Sequence, residues 1–301
     1  MYRRQAAPAA TEGGFPVVLD DQAPIRGRAG CDRYVARIVR NIDVSAPAPR
    51  WMATRLTEAG MRPISLPVDV TNYVMLGLGQ PLHAFDLDTL SGAIEVRRAR
   101  PGETLKTLDD VTRTLDPQDL LITDGGELPL AIAGVMGGQD TEVTDATTDI
   151  FLECAWFDPS RVRAARRAAN LSTDASQRFE RGTDRWGAVD AFRRAIRMLV
   201  TVAGGTLDGP TVDVFPVPSH PPRIFLRPAR VAQVLGVELA WGTIEKQLVK
   251  MGATVVAKPE DGRMAVDVPG SVSYTHLRAH ETVLDLVCRL LLVNKKSRDL
   301  S

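Results

Sequence analysis

The chain has 301 residues, 44% hydrophobic and 25% charged, which suits two ordinary domains and excludes a wholly disordered chain or a stapled mini-protein. Its 37 lysines and arginines balance 37 aspartates and glutamates, so it is no general binder of polyanions, and any nucleic-acid contact is local. No apolar run reaches the ~18 residues of a membrane span, and the dispersed Cys31, Cys154 and Cys288 lack CxxC spacing, which argues against disulfides and zinc and for a reducing, cytoplasmic setting.

Residues 1–30 are rich in Ala, Gly and Pro, with basic residues but no apolar signal core. They read as a loose lead-in with one short strand at Phe15–Leu19. Regular structure starts at Asp32–Arg40, whose alternation predicts a half-buried strand. Arg50–Ala59 predicts a helix with Trp51, Met52, Leu56 and Ala59 on one face, stopped by Gly60. A second helix is expected over Asp69–Leu76, after Pro67 and before Gly77 and Gly79. Strands follow at Ile94–Arg97, Thr104–Leu108, Val111–Leu115, Leu120–Ile122, Leu128–Ala133 and Ile150–Ala155. Asp109-Asp110 and Gly125-Gly126 are the expected hairpin turns. Asp158-Pro159 supplies the cap and first residue of a helix to about Ala169. A longer helix is expected over Trp186–Ala203. Strand pairs with helices grouped around them indicate an α+β domain over residues 31–215.

Residues 216–222 close a stretch, Phe215–Pro222, with four prolines, a stiff linker between domains. Beyond it, residues 223–271 read as strand, helix, helix and hairpin, a winged-helix-like outline. The expected pieces are Arg223–Leu226, Pro228–Leu235, Thr243–Met251, and strands Ala253–Ala257 and Arg263–Val268 around Asp261-Gly262. Residues 272–301 have the pattern of one helix, with Leu284, Val287, Leu290 and Leu291 on a face, and a composition unlike the rest.

Four places have side chains fit for chemistry. His83 follows a Gly-Gln-Pro turn, with Thr71 and Asn72 a few residues upstream near a helix; an imidazole there either orients water or a substrate oxygen, or packs against backbone. Gly134 to Gly138 lets backbone approach a ligand or simply makes a tight turn, and no Gly-Lys-Ser/Thr makes it a nucleotide loop. Glu153 stands in an apolar strand, where a buried carboxylate needs a partner; it reads a ligand or sits on a rim. Ser172 or Thr173 caps a short helix, and the Arg178–Phe179–Glu180–Arg181 run binds phosphate or forms a salt-bridged face. No HExxH or CxxC spacing indicates a metal site, and no GxSxG a serine hydrolase.

The strings RPISLPVDVTNYVMLGLGQPLHAFD, AIAGVMGGQDTEV, FLECAWFDPSRVRAARRAANLSTDASQRFERGTD and RPARVAQVLGVEL, in this order, closely resemble the β subunit of bacterial phenylalanine–tRNA ligase over about residues 31–271. The resemblance implies that residues 31–215 are a B3/B4-type editing domain and residues 223–271 a B5-type domain. Residues 1–30 would be the remnant of a preceding region. It further implies hydrolysis of Tyr-tRNA(Phe), with tRNA(Phe) and an α subunit (in an α2β2 assembly) as partners. ATP and Mg2+ would serve only charging by the full enzyme, and the family's magnesium ligands are not in the matching region. Carried over by residue, His83, Glu153 and Thr173 form the catalytic set, and Thr71, Asn72, Gly134, Gly137, Ala155 and Ala175 the substrate pocket. Glu153 with His83 would read the phenolic hydroxyl, and Thr71, Asn72 and Thr173 would hold the amino acid or a water. The last thirty residues depart from the family: SYTHLRAHETVLDLVCRLLL resembles a string found at the ends of broken gene predictions, so 272–301 is expected to be a non-native tail. A free-standing deacylase of mischarged tRNA, or a non-enzymatic protein- or nucleic-acid-binding module, are the alternatives.

Overall fold

The computed structural model describes residues 13–21, 29–221, 223–257 and 263–270. The lead-in 1–12, the turn at Asp261-Gly262, Cys288 and the tail 272–301 lie outside the described residues. The chain divides after Pro218 into two compact units.

In the first unit, β1 (Val17–Asp20) starts two residues later than expected, and β2 (Cys31–Arg40) follows the predicted alternation. Helix α1 (Arg50–Glu58) buries Met52 and Leu56. Helix α2 (Leu66–Leu78) starts a turn earlier than expected. Pro67 lies in its first turn, where the missing N–H costs nothing, so it opens the helix and does not precede it. Gly79, at φ 70°, ends α2 in the left-handed conformation. A short strand not anticipated from the sequence, β3 (His83–Asp86), comes next, and then β4 (Ile94–Arg98). The two expected hairpins form: β5 (Thr104–Lys106) with β6 (Thr112–Thr114), and β7 (Leu120–Asp124) with β8 (Leu128–Ile132). Gly125 and Gly126 both have positive φ, as a tight two-glycine turn requires. Next are β9 (Met136–Gly137) and β10 (Ile150–Phe157).

Asp158 caps α3 (Pro159–Ala168) by accepting from the Ser160 and Arg161 amides. Thr173 caps α4 (Asp174–Arg181) in a reciprocal box with Ser176. The charge run there is salt-bridged: Arg178 pairs Asp174, and Glu180 pairs Arg166. Helix α5 (Ala188–Val202) begins two residues after Trp186. The unit closes with β11 (Thr206–Val214), which the sequence reading did not anticipate.

These strands make two main sheets, ordered β1-β4-β7-β8-β9 and β11-β2-β10-β3. Among the described strands only the β1–β4 pair is parallel. Strand β10 lies inside the second sheet and is buried along its whole length. Its side chains alternate between two cores. Phe151, Ala155 and Phe157 join Tyr34, Phe85, Ile94, Leu121 and Leu130 in a core shared with the first sheet. Ile150, Leu152 and Cys154 join Val70, Val74, Phe192 and Leu199 under α1, α2 and α5. A strand covered on both faces reads as a continuous apolar run, which is why its sequence lacks alternation. Each fully buried phenylalanine here contributes ~1.5–3 kcal/mol through removal from water.

The second unit holds β12 (Arg223–Leu226), α6 (Pro228–Leu235), α7 (Trp241–Lys250), β13 (Thr254–Ala257) and β14 (Met264–Asp267). Its antiparallel sheet has the order β12-β14-β13. Leu226, Val231, Ile244, Leu248, Met264 and Val266 form its core. Arg223 grips Asp267 through two hydrogen bonds of 2.7 and 3.0 Å across the sheet.

Candidate functional site

Strand pairing places the central residues. Glu153 on β10 stands directly opposite His83 on β3 and, on its other side, opposite Ala36 on β2. By alternation from Phe151 and Ala155, Glu153 points into the core between the sheets. His83, two residues before Phe85, lies on that same face, with its ring edge-on to Phe85 at a centroid distance of 4.4 Å. The structure thus settles the orientation left open by the sequence: Glu153 faces inward and is only 4% exposed.

Neither group has a side-chain hydrogen-bond partner among the described residues. Burial alone pushes the Glu153 carboxyl from 4.5 up to about 8. Burial likewise lowers His83 from 6.5 to about 4. At neutral pH the imidazole is therefore uncharged, with one ring nitrogen donating and the other accepting. The two form no ion pair; they are cross-strand neighbours with unspent hydrogen-bonding capacity.

The glycine loop packs against the His83 ring. A Cβ at Gly137 would lie 2.8 Å from His83 Cε1 and 3.0 Å from Nε2, so no side chain fits there unless the imidazole shifts. Gly134 serves a different purpose. Its φ is +72°, and a Cβ would meet Phe157 and Val162 at 3.0 Å and Phe179 at 3.1 Å. The space a side chain would take there is filled by core packing.

Thr173 ties the loop to α4. Its hydroxyl donates to the Val135 carbonyl at 2.9 Å and accepts from the Ser176 amide at 3.0 Å. Two of its bonding positions are thus already used structurally. Ala175, in the first turn of α4, is partly buried against the inter-sheet core. Ala155 is fully buried two residues beyond Glu153, and its carbonyl accepts from Gln80 Nε2 at 2.8 Å. Gln80 also donates to the Pro81 carbonyl at 3.1 Å, fixing the connection from α2 into β3. In the sequence Gly-Gln-Pro reads only as a turn, and the buried role of Gln80 is seen in its two hydrogen bonds.

Thr71 and Asn72 sit on α2, whose Val70 and Val74 cover the other face of the β10 sheet. The Thr71 hydroxyl donates to Val68 in its own helix at 2.8 Å. No hydrogen bond joins Thr71 or Asn72 to His83 or Glu153 among the described residues. The structure therefore groups His83, Glu153, Ala155 and Gly137, with Thr173 one contact away through Val135. Thr71 and Asn72 stand on the helix that feeds β3. Among the described residues no three His, Cys, Asp or Glu side chains are placed to hold a metal ion, and no helix is long and apolar enough to cross a membrane.

Two stacked sheets, helices over one of them, and a glycine loop against the ring of an inward Glu–His pair make an α+β domain. A sequence profile of the B3/4 domain matches residues 30–204, more than half the chain, and the chain belongs to that family. Its relatives include the phenylalanine–tRNA ligase beta subunit of Leifsonia xyli subsp. xyli, 52% identical over 204 residues, covering 68% of this chain and 24% of the relative. The beta subunit of Thermobifida fusca is 47% identical over 250 residues, covering 83% of this chain and 29% of the relative. The chain thus spans under a third of the length of either. An N-terminal fragment of the phenylalanyl-tRNA synthetase beta-subunit from Pyrococcus horikoshii aligns with a TM-score of 0.42 at 15% identity, covering 91% of this chain and 74% of that one.

Proposed function

We propose that this chain is the editing part of a phenylalanine–tRNA ligase β subunit, and that it hydrolyses tyrosine wrongly attached to tRNA(Phe). The observation that carries this reading is the in-register pair of buried Glu153 and half-buried His83, both without hydrogen-bond partners, with Gly137 packed against the His83 ring. A phenol hydroxyl both donates and accepts, and so satisfies such a pair. The phenyl ring of phenylalanine would leave it unsatisfied, at a cost of ~1–3 kcal/mol for each group. That is the asymmetry an editing step needs, because an apolar synthetic pocket rejects one added hydroxyl by only about 100-fold.

In this reading Glu153 and His83 hold the ring hydroxyl, and the small Ala155, Gly137 and Ala175 leave room for the ring. Thr173, with Thr71 and Asn72, orients the amino acid or the water that attacks the ester. No covalent nucleophile is involved. Charging with phenylalanine, ATP and Mg2+ belongs to the complete cytoplasmic α2β2 enzyme; no step here passes through them. The second unit corresponds in this reading to a B5 domain with a structural role.

The test is release of tyrosine from Tyr-tRNA(Phe) by the chain, alone and with an α subunit, against Phe-tRNA(Phe) as control. His83→Ala and Glu153→Ala should each abolish clearance. Equal deacylation by wild type and both variants removes the assignment. Clearance without an α subunit marks the chain as a deacylase in its own right.

A further inference from the structure

Helix α4 starts at the glycine loop and leads away from it. Its cap, Thr173, donates to the Val135 carbonyl of that loop at 2.9 Å. Arg181 ends the helix about 12 Å further along its axis. Helix α3 lies alongside, with Arg163 Nη2 donating to the Glu180 carbonyl at 3.2 Å. Both helices bury their apolar side, Val162, Ala165 and Phe179, in the inter-sheet core. Besides buried Arg161, the pair carries five arginines and only two carboxylates, Asp174 and Glu180. Both carboxylates are taken: Arg178 holds Asp174 at 2.8 Å, and Arg166 holds Glu180 at 3.1 Å. Arg163 reaches Glu180 only at 4.0 Å. Arg167 and Arg181 are exposed and make no ion pair or hydrogen bond among the described residues. Arg163 and Arg167 stand one turn apart on α3, ~5–6 Å between their Cβ atoms, where like charges repel unless an anion joins them. The other end of the loop has the opposite sign. Beyond Gly138 the chain passes through Asp140, Glu142 and Asp145, all exposed. A chain whose charges cancel overall thus keeps a positive flank and a negative flank on either side of one loop.

We propose that the outward face of α3 and α4, through Arg163, Arg167 and Arg181, binds the phosphates of an RNA strand whose 3′ end enters the pocket. The proposal deepens the reading of the pocket as a site for an aminoacyl ester, and it rests on that reading. Such an ester sits on the terminal ribose of the RNA, so the phosphates behind it must leave along one flank of the loop. The carboxylate flank repels them and the arginine flank attracts them. A guanidinium presents a planar fork of donors that matches a phosphate, and it keeps its charge at every working pH. Contacts of this kind carry no sequence information; they fix the path and register of the strand.

The experiment measures binding of uncharged tRNA(Phe) to the whole chain by fluorescence anisotropy between about 50 and 200 mM salt. Each phosphate neutralised on a single strand contributes about 0.7 to the slope of log affinity against log salt. The triple variant Arg163→Gln, Arg167→Gln, Arg181→Gln should therefore lower that slope by about 2 and weaken binding roughly tenfold or more. Lysine at the same three positions should restore most of the slope, because it returns the charges. A control triple on the other side of the domain, Arg62→Gln, Arg194→Gln, Arg197→Gln, should leave the slope nearly unchanged. Transfer RNA trimmed of its unpaired 3′ strand should bind wild type and the α3–α4 variant alike. An unchanged slope in the α3–α4 variant overturns the proposal, as does an equal loss in the control, which would reduce the effect to overall charge. Tyr-tRNA(Phe) deacylation is followed in parallel, and there the α3–α4 variant should raise KM roughly tenfold with kcat held within about twofold. If wild type is inert on Tyr-tRNA(Phe) while the slope still falls, the editing reading fails and the RNA-binding face stands. If editing is intact and neither slope nor KM moves, the face fails and the editing reading stands.

Discussion

Replacing Glu153 by Gln should change the shape of the stability curve with pH. The Glu153 carboxyl rises from 4.5 to about 8 in the folded chain, and His83 falls from 6.5 to about 4. Below pH 4.5 the carboxyl is protonated in both folded and unfolded chains. Above it, the unfolded chain loses a proton that the folded chain keeps, so stability declines by ~1.4 kcal/mol per pH unit until the folded group ionises. Carried to pH 8, the loss reaches about 5 kcal/mol. His83 acts in the opposite sense. Its folded form stays neutral while the unfolded form protonates below 6.5, so stability falls as pH drops from 6.5 toward 4, by up to ~3 kcal/mol, less the screening from its partly exposed ring. Between pH 4.5 and 6.5 the two slopes oppose each other; above 6.5 only the carboxyl's remains. Glu153→Gln should therefore flatten the alkaline decline and expose the His83 rise. Urea unfolding at half-unit pH steps, read as variant minus wild type, cancels the groups common to both. That difference should grow from pH 4.5 upward and stop near pH 8. A difference that stays flat from pH 4.5 to 8 refutes the argument that the carboxyl is buried without compensation.

The two loop glycines should separate stability from function. Gly134→Ala forces a side chain into a left-handed position and against Phe157, Val162 and Phe179. Backbone strain of ~1–2 kcal/mol and overpacking of ~1–3 kcal/mol predict a loss of roughly 2–5 kcal/mol in urea unfolding; a loss under 1 kcal/mol contradicts the packing described. Gly137→Ala has no such backbone strain but displaces the His83 ring, so deacylation of Tyr-tRNA(Phe) should drop at least tenfold with stability changed by less than ~1.5 kcal/mol. Wild-type kinetics in that variant would mean that the ring position does not matter.

What the sequence revealed follows from where its signals are local. Hairpins at Asp109-Asp110 and Gly125-Gly126 and the cap at Asp158 are readable, and the α4 cap is narrowed to Ser172 or Thr173, because turn and cap chemistry lies within four residues. Strand β3 was not, because four residues, His83 to Asp86, carry too little pattern. Strand β11 was hidden by Gly209 and Pro210 in its middle, where its pairing with β2 is interrupted between Asp208 and Val212. The residue types of the site, His83, Glu153 and the glycine loop, were visible, but their assembly was not. Glu153 lies in a strand that is apolar on both faces, so only pairing register shows that it faces His83. Tyr34 reads in the sequence like any strand aromatic, and only the fold shows its hydroxyl buried without a hydrogen-bond partner.

The second sheet has a consequence for biosynthesis. Strand β2 is made well before both strands that flank it, β10 and β11. The guanidinium of Arg33 grips Asp213 across 180 residues of sequence. A nascent chain leaving the ribosome therefore carries β2 with both edges bare until its late partners emerge. Such distant pairings slow folding and leave strand edges open to wrong partners. Premature termination before Thr206 would leave β2 without its outer neighbour although every residue of the proposed site had already been translated.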